Sequence, residues 1–527
     1  MTSHAHAQCV ADIPRVWAER APERAALVSG STVLSFAALD AGSNRVAQAL
    51  IAAGLKPGAR VAILAKDSLD VYEAYFGCAK AGAVALGVNW RLTPREIAFI
   101  LDDSGAELIF VGAEFAERVR SLLSASAHAP SCVVFGTHDD DSSSQRYTSW
   151  RDAAPCSDPA LSARPDDVVV QMYTSGTTGH PKGVMLANRS FFAVVASMRA
   201  AGDAWIGFGP DDVSLMPIPS FHIGGLWWAM TGLNAGATNV IMPSFVGAEL
   251  LRLVAAHRVT KICMVPAMMQ VALLEPDAER TDFASLDTIV YGGSPIPRAL
   301  MEHALATFGC RFAQIYGLTE TGNTAVCLRP DDHLDLDSER LKAAGRAYPG
   351  VRLKCLGPDG AELPPRAIGE ICIASPANMV GYWKRDDATA ETLRDGWVHT
   401  GDAGFLDEHG YLYVQDRVKD MIIYAGENVY PAEIESVLCG HPDVLEAAVI
   451  GVPDERWGEQ VKAIVVRRQG AALTGRALLA HARGELAEFK LPKSVDFVDA
   501  LPRTVSGKIK KPELRAPYWD GRERQVN

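Results

Sequence analysis

Through the first four hundred positions, short apolar runs rich in β-branched residues alternate with longer amphipathic ones. Residues 60–65, 83–88, 106–112 and 132–136 are such runs, each bounded by Gly, Pro or polar side chains, the pattern of buried strands. Residues 67–81 and 93–104 carry a helical period, and the second opens with Thr93 and Pro94 as cap and first turn. Strand–helix alternation predicts α/β layers, with sheets covered by helices. The polar stretch 139–145 is expected to be a solvated loop.

The tail has a different rhythm. A short helix is predicted from Pro431 to about Leu438, followed by strands at 447–452 and 461–466. A helix opening near Thr474 is expected to turn Leu478, Leu479, Ala482, Leu486 and Phe489 inward, ahead of a last strand at 495–498. These elements make a compact α+β unit of ordinary domain size. The expected division is 1–416, a large multi-layer N-terminal domain, and 417–527, a small α+β C-terminal domain. The boundary falls after a strand at 411–415.

Composition narrows the classes. The 527 residues amount to several times the ~150 of one domain, which agrees with a chain of more than one. Lys plus Arg number 51 against 63 Asp plus Glu, a formal charge of −12 that disfavours nonspecific binding to nucleic acid. No C-x-x-C pair occurs among the ten cysteines, so they read as scattered thiols of a reducing compartment. Neither a secretory signal nor an apolar run of membrane-spanning length is present, and a cytoplasmic location is expected.

The segment YTSGTTGHPKG at 173–183 concentrates donors. Its glycines let backbone N–H groups approach phosphate oxygens, its hydroxyls add donors, and Lys182 adds charge. A P-loop needs Gly before the lysine and Ser or Thr after it, whereas Pro181 and Gly183 flank Lys182 here. The alternative is a flexible linker.

This segment resembles the phosphate-binding signature of the adenylate-forming superfamily, which includes acyl-CoA synthetases, adenylation domains of peptide synthetases and beetle luciferases. The other signatures follow in order: QIYGLTET at 314–321, WVHTGD at 397–402, RVKDMIIYAGENVYPAEIE at 417–435 and PRTVSGK at 502–508. The resemblance implies an ATP-dependent ligase that makes an acyl-adenylate and transfers the acyl group to CoA. It implies that Thr174, Ser175, Gly176, Thr177, Thr178, Gly179 and Lys182 contact ATP. Gly292, Gly293 and Ser294, with Gln314, Ile315, Tyr316, Gly317, Leu318 and Thr319, lie along the nucleotide. Asp402 and Arg417 reach the ribose or phosphates. Glu320 is a hard oxygen ligand of the kind Mg²⁺ takes, with Thr174 beside it.

Lys508 is the implied adenylation catalyst, since a cation bridging carboxylate and α-phosphate answers the charge of that transition state. The small domain then rotates about Lys419, and Ala425 and Gly426 line the thiol tunnel. His222 is expected near the reacting carboxylate. With Trp227, Trp228, Met264, Met268 and Met269 it borders the acyl pocket, although each of these also reads as plain core. The absence of a carboxylate beside His222 favours an acyl or aryl acid over an amino acid.

The partners expected are therefore ATP, Mg²⁺, CoA and a carboxylic acid, a fatty acid first and a cinnamate-type acid second. A stand-alone enzyme loading an acyl carrier protein, a luciferase-like oxygenase and a nucleotide-binding scaffold with a dead site are the rival readings. Oligomeric state is not legible, a homodimer being one option.

Overall fold

A computed structural model describes residues 7–124, 129–136, 145–174, 181–203, 206–294, 296–335, 337–417, 420–424, 427–454, 458–483, 485–486, 488–503 and 509–519. The predicted alternation is realised as sheets with helices between them. Strands Arg60–Leu64, Val84–Gly87, Leu108–Gly112, Ser131–Phe135 and Val168–Thr174 are parallel neighbours in one sheet. Their buried faces read as continuous apolar runs because helices cover both sides. Strand Lys182–Ala187 then returns antiparallel to Val168–Thr174, and the short strand Gly381–Tyr382 pairs with its far edge.

A larger sheet has a parallel centre of Thr238–Ile241, Val213–Met216, Lys261–Met264, Thr288–Gly292 and Arg311–Tyr316. Beyond Arg311–Tyr316 it changes to antiparallel pairing through Val326–Leu328, Gly345–Ala347, Tyr411–Arg417, Trp397–Leu406, Gly369–Ala374 and Arg352–Leu356. The switch lies at the carboxyl end of a parallel strand, where open α/β sheets leave a crevice.

Local capping sets the helix starts. Thr93 and Glu96 form a reciprocal capping box at the head of Pro94–Ser104. The helix predicted from residue 67 begins instead at Leu69, because Ser68 accepts from the Val71 N–H and caps Leu69–Lys80. Asp67 is thereby released from the helix and turns into the interior.

The tail forms a smaller sheet of Glu427–Val429, Ile422–Tyr424, Gly458–Arg467, Val444–Asp454 and Ser494–Val498, backed by helices Pro431–Cys439 and Gly475–Ala482. Its own core gathers Ile422, Ile434, Leu438, Val449, Val465 and Leu478. Thr474 caps the second helix as expected, but the helix ends at Ala482 rather than running to 489. Gly484 follows two residues later and breaks the period. Leu479 is only half-buried, whereas Leu486 still reaches the core from beyond the helix. No helix among the described residues is long and apolar enough to cross a membrane.

Candidate active site

The strands Thr288–Gly292 and Arg311–Tyr316 end side by side, with Gly292 opposite Ile315. Immediately beyond, Gly317 lies so close to the returning chain that a Cβ there would stand 2.0 Å from the Asn323 carbonyl oxygen. Only glycine admits that approach. The chain turns through Thr319–Thr321, where the Thr321 hydroxyl accepts from the Leu318 N–H at 2.9 Å. This tight turn presents Glu320, half-buried, at the end of the sheet.

Glu320 is held from across the sheet boundary. The Tyr382 hydroxyl donates to Glu320 Oε1 at 2.8 Å, and the Met379 N–H donates to the Glu320 carbonyl at 2.8 Å. Lys182 Nζ stands 5.1 Å from the centroid of the same Tyr382 ring, within cation–π range. Thr174 is the register partner of Lys182. One tyrosine therefore ties the strand that begins at Lys182 to the Glu320 turn of the larger sheet.

A second carboxylate is held by Tyr316, whose hydroxyl donates to Asp402 Oδ2 at 2.7 Å. Asp402 is 6 % exposed, its N–H donates to the Thr400 hydroxyl at 3.0 Å, and its backbone is in register with Arg417. The arrangement fixes the carboxylate as an acceptor. Gly293 and Ser294 are exposed beyond the end of Thr288–Gly292, and Gln314 is half-buried opposite Tyr291.

His222 stands at the N-cap position of the helix Ile223–Asn234, without a side-chain cap bond, and packs on Phe221, ring centroids 4.5 Å apart. The loop before it is anchored by Asp67. The Asp67 carboxylate accepts from the Ser220 N–H at 3.0 Å, the Ser220 hydroxyl at 2.5 Å and the Tyr72 hydroxyl at 3.4 Å. Burial pushes the Asp67 carboxyl up to about 6, and the Ser220 bonds offset part of that rise.

The expected acyl-pocket residues do not form one group. Trp227 and Trp228 are buried together in one core cluster, where the Trp228 indole donates to the Leu215 carbonyl at 3.1 Å and its ring packs on Phe208. Met264 and Met269 are fully buried in a separate cluster, with half-buried Met268 against it.

Ser175, Gly176, Thr177, Thr178, Gly179, Lys419, Ala425, Gly426 and Lys508 lie outside the described residues, as does the Arg417 side chain. Sequence reasoning missed Tyr382 and Asp67. Tyr382 meets Glu320 across 62 positions, a separation no local pattern reveals. Asp67 had a signal, an acid directly after a buried strand and before a Ser cap.

With this geometry in place, comparison with known proteins identifies the relatives. The AMP-binding enzyme family matches residues 14–383, and the AMP-binding enzyme C-terminal domain matches residues 433–508. The chain is 48 % identical to the fatty acid–acyl-carrier-protein ligase ScoC of Streptomyces coeruleorubidus, over 99 % of both chains. It is 38 % identical to the long-chain fatty acid–CoA ligase FadD13 of Mycobacterium tuberculosis, covering 92 % of this chain and 93 % of the other. Its fold superposes on ATP-bound MatB from Rhodopseudomonas palustris with a TM-score of 0.86 at 31 % identity, over 96 % and 99 % of the two chains. The chain belongs to the AMP-binding enzyme family as a ligase of the adenylate-forming kind.

Proposed function

We propose that this protein activates a fatty acid with ATP as an acyl-adenylate and transfers the acyl group to the phosphopantetheine thiol of an acyl carrier protein. The observation that carries the reading is the pair of tyrosine-held carboxylates, Glu320 with Tyr382 across two sheets and Asp402 with Tyr316 within the larger one. Asp402, rigid and buried, suits a ribose diol, which offers two donors. Glu320 and Thr174 offer oxygen donors of the kind a hard cation takes, and they would hold Mg²⁺. When bound, that ion would neutralise phosphate charge. Lys182 adds a cation on the same side.

In the first half-reaction a carboxylate oxygen bonds to the α-phosphorus and pyrophosphate leaves. In the second, the thiol sulfur bonds to the acyl carbon, AMP leaves and the thiol proton passes to solvent. Lys508 supplies the cation for the first step from a small domain, 417–527, that pivots at Lys419 against 1–416 and brings Ala425 and Gly426 to the thiol path. His222 and Phe221 shape the acid's side of the site. The carrier protein as acceptor is favoured by the 48 % identity to ScoC over the full length. Free CoA is the second reading, favoured by the likeness to FadD13.

The test is a competition. Purified enzyme, ATP and Mg²⁺ are given fatty acids of graded length and cinnamate-type acids, with CoA and a phosphopantetheinylated carrier protein present at equal concentration. Acid-dependent pyrophosphate release with thioester on the carrier supports the proposal. Thioester on CoA alone assigns the second reading, and no acid-dependent pyrophosphate release removes both.

A further inference from the structure

Away from the tyrosine-held carboxylates, the strands Gly369–Ala374 and Trp397–Leu406 place a sulfur, a nitrogen and an oxygen together. Cys372 and His399 are register partners across this antiparallel pair, and Glu370, two residues from Cys372, shares its face. Cys372 Sγ is 3.6 Å from His399 Nδ1, which is 2.8 Å from Glu370 Oε2, and one ligand atom from each residue lies within 4.8 Å of the others. Cys372 is fully buried, whereas Glu370 and His399 are half-buried and leave a way in.

We propose that Glu370, Cys372 and His399 bind a thiophilic divalent cation of the Zn²⁺ class, with water as the fourth ligand. Zinc takes Cys, His and carboxylate ligands at about 2.0–2.3 Å, and tetrahedral angles then separate sulfur from nitrogen by about 3.5 Å and nitrogen from oxygen by about 3.3 Å. The Cys372–His399 separation already matches. The His399–Glu370 pair must open by about half an ångström, which a half-buried glutamate accommodates by a small rotation. Three protein ligands with one open position is an arrangement zinc accepts.

The incoming ion must displace the thiol proton, one proton leaving to solvent for each ion bound. A supporting outer contact exists: Glu370 Oε1 accepts from the Gly401 N–H at 3.2 Å, which fixes the carboxylate as outer partners of metal ligands do. The same contact links the cluster to the residue next to Asp402. A set containing thiolate and imidazole does not select Mg²⁺, so an ion accompanying ATP does not compete for it.

The full-length enzyme, freed of metal by chelation, is titrated with Co²⁺ and then with Zn²⁺. The expected result is a near-ultraviolet thiolate-to-cobalt charge-transfer band that saturates at one ion per chain, is erased by Zn²⁺ and survives excess Mg²⁺. Cys372→Ser should lose the band. His399→Asn should weaken Zn²⁺ binding by more than the roughly 10–100-fold that loss of an outer partner costs. Activity of the metal-free Cys372→Ser variant should equal that of metal-free wild type. A band that is absent, or that persists in Cys372→Ser, overturns the site. Should Cys372→Ser not fold, unchanged Zn²⁺ affinity in His399→Asn gives the same refutation.

Discussion

Replacing Asp67 with Asn tests how the loop carrying Phe221 and His222 is held. Asp67 is 3 % exposed, and its three hydrogen-bond donors come from Ser220 and Tyr72. Its carboxyl lies at about 6 in the folded protein against the ordinary 3.8, with burial the larger cause and the Ser220 bonds opposing it. Between those values the folded protein binds a proton that the unfolded chain does not. Stability therefore falls as pH rises through that window, and the cost is complete above it. At about 1.4 kcal/mol per pH unit the displacement amounts to about 3 kcal/mol, of which about 2 kcal/mol accrues between about pH 4.5 and about pH 8.

Asn has nearly the shape of the protonated acid and carries no charge, so the variant escapes this cost. Its amide oxygen can accept from Ser220, and its NH₂ can donate to the Ser220 or Tyr72 hydroxyl oxygen. Urea unfolding of wild type and Asp67→Asn, followed by tryptophan fluorescence at the two pH values, gives four free energies. The difference of differences cancels every other titrating group. It should favour Asn by about 2 kcal/mol more at the higher pH. Parallel behaviour of the two proteins, or a greater loss for Asn at the higher pH, would refute the assignment of a strained buried charge at Asp67.

Two further perturbations address the nucleotide side. In Gly317→Ala the new Cβ meets backbone, the Asn323 carbonyl oxygen at 2.0 Å and its carbon at 2.6 Å, so the Glu320 turn must move. Overpacking of this kind costs about 1–3 kcal/mol, and acid-dependent ATP–pyrophosphate exchange should fall sharply in a protein that still folds. Full exchange would show that the turn is not so constrained. Tyr382→Phe removes the 2.8 Å bond to Glu320 and leaves the ring beside Lys182. Half-saturation of exchange by Mg²⁺ should rise about tenfold, equivalent to ~1.4 kcal/mol, and an unchanged Mg²⁺ requirement would separate Tyr382 from the ion.

What the sequence made legible was local. Thr93 and Thr474 each marked a helix start through a bond to a backbone N–H three residues on, whereas the Ser68 cap that moves the start of another helix to Leu69 went unread. The apolar runs at 60–65 and 106–112 are buried strands, trimmed by a residue or two. The site residues were legible as motifs rather than as a site. Tyr316 and Asp402 are 86 positions apart, and only the pairing of three intervening strands brings hydroxyl to carboxylate. The early end of the helix at Ala482 has a local cause. An apolar period continues past Ala482, but Gly484 makes helix costly there, and Leu486 finds the core from another conformation.

The two carboxylates are fixed to different degrees, and the difference bears on how two half-reactions can share one site. Asp402 is bound by Tyr316, its own N–H is taken by Thr400, and its strand is zipped to the one ending at Arg417. Glu320 is half-buried on a turn and spends one oxygen on Tyr382. If the tail pivots just past Arg417, as proposed above, the pivot is joined by the sheet to the ribose-side acceptor. Motion beyond it need not loosen Asp402, because the backbone pairing that holds it ends before the pivot begins. AMP can then stay seated on Asp402 while the tail exchanges a lysine for a thiol path. Glu320, which would hold an ion rather than the nucleoside, sits on a turn anchored by Tyr382 at its carboxylate and by the Met379 N–H at its carbonyl.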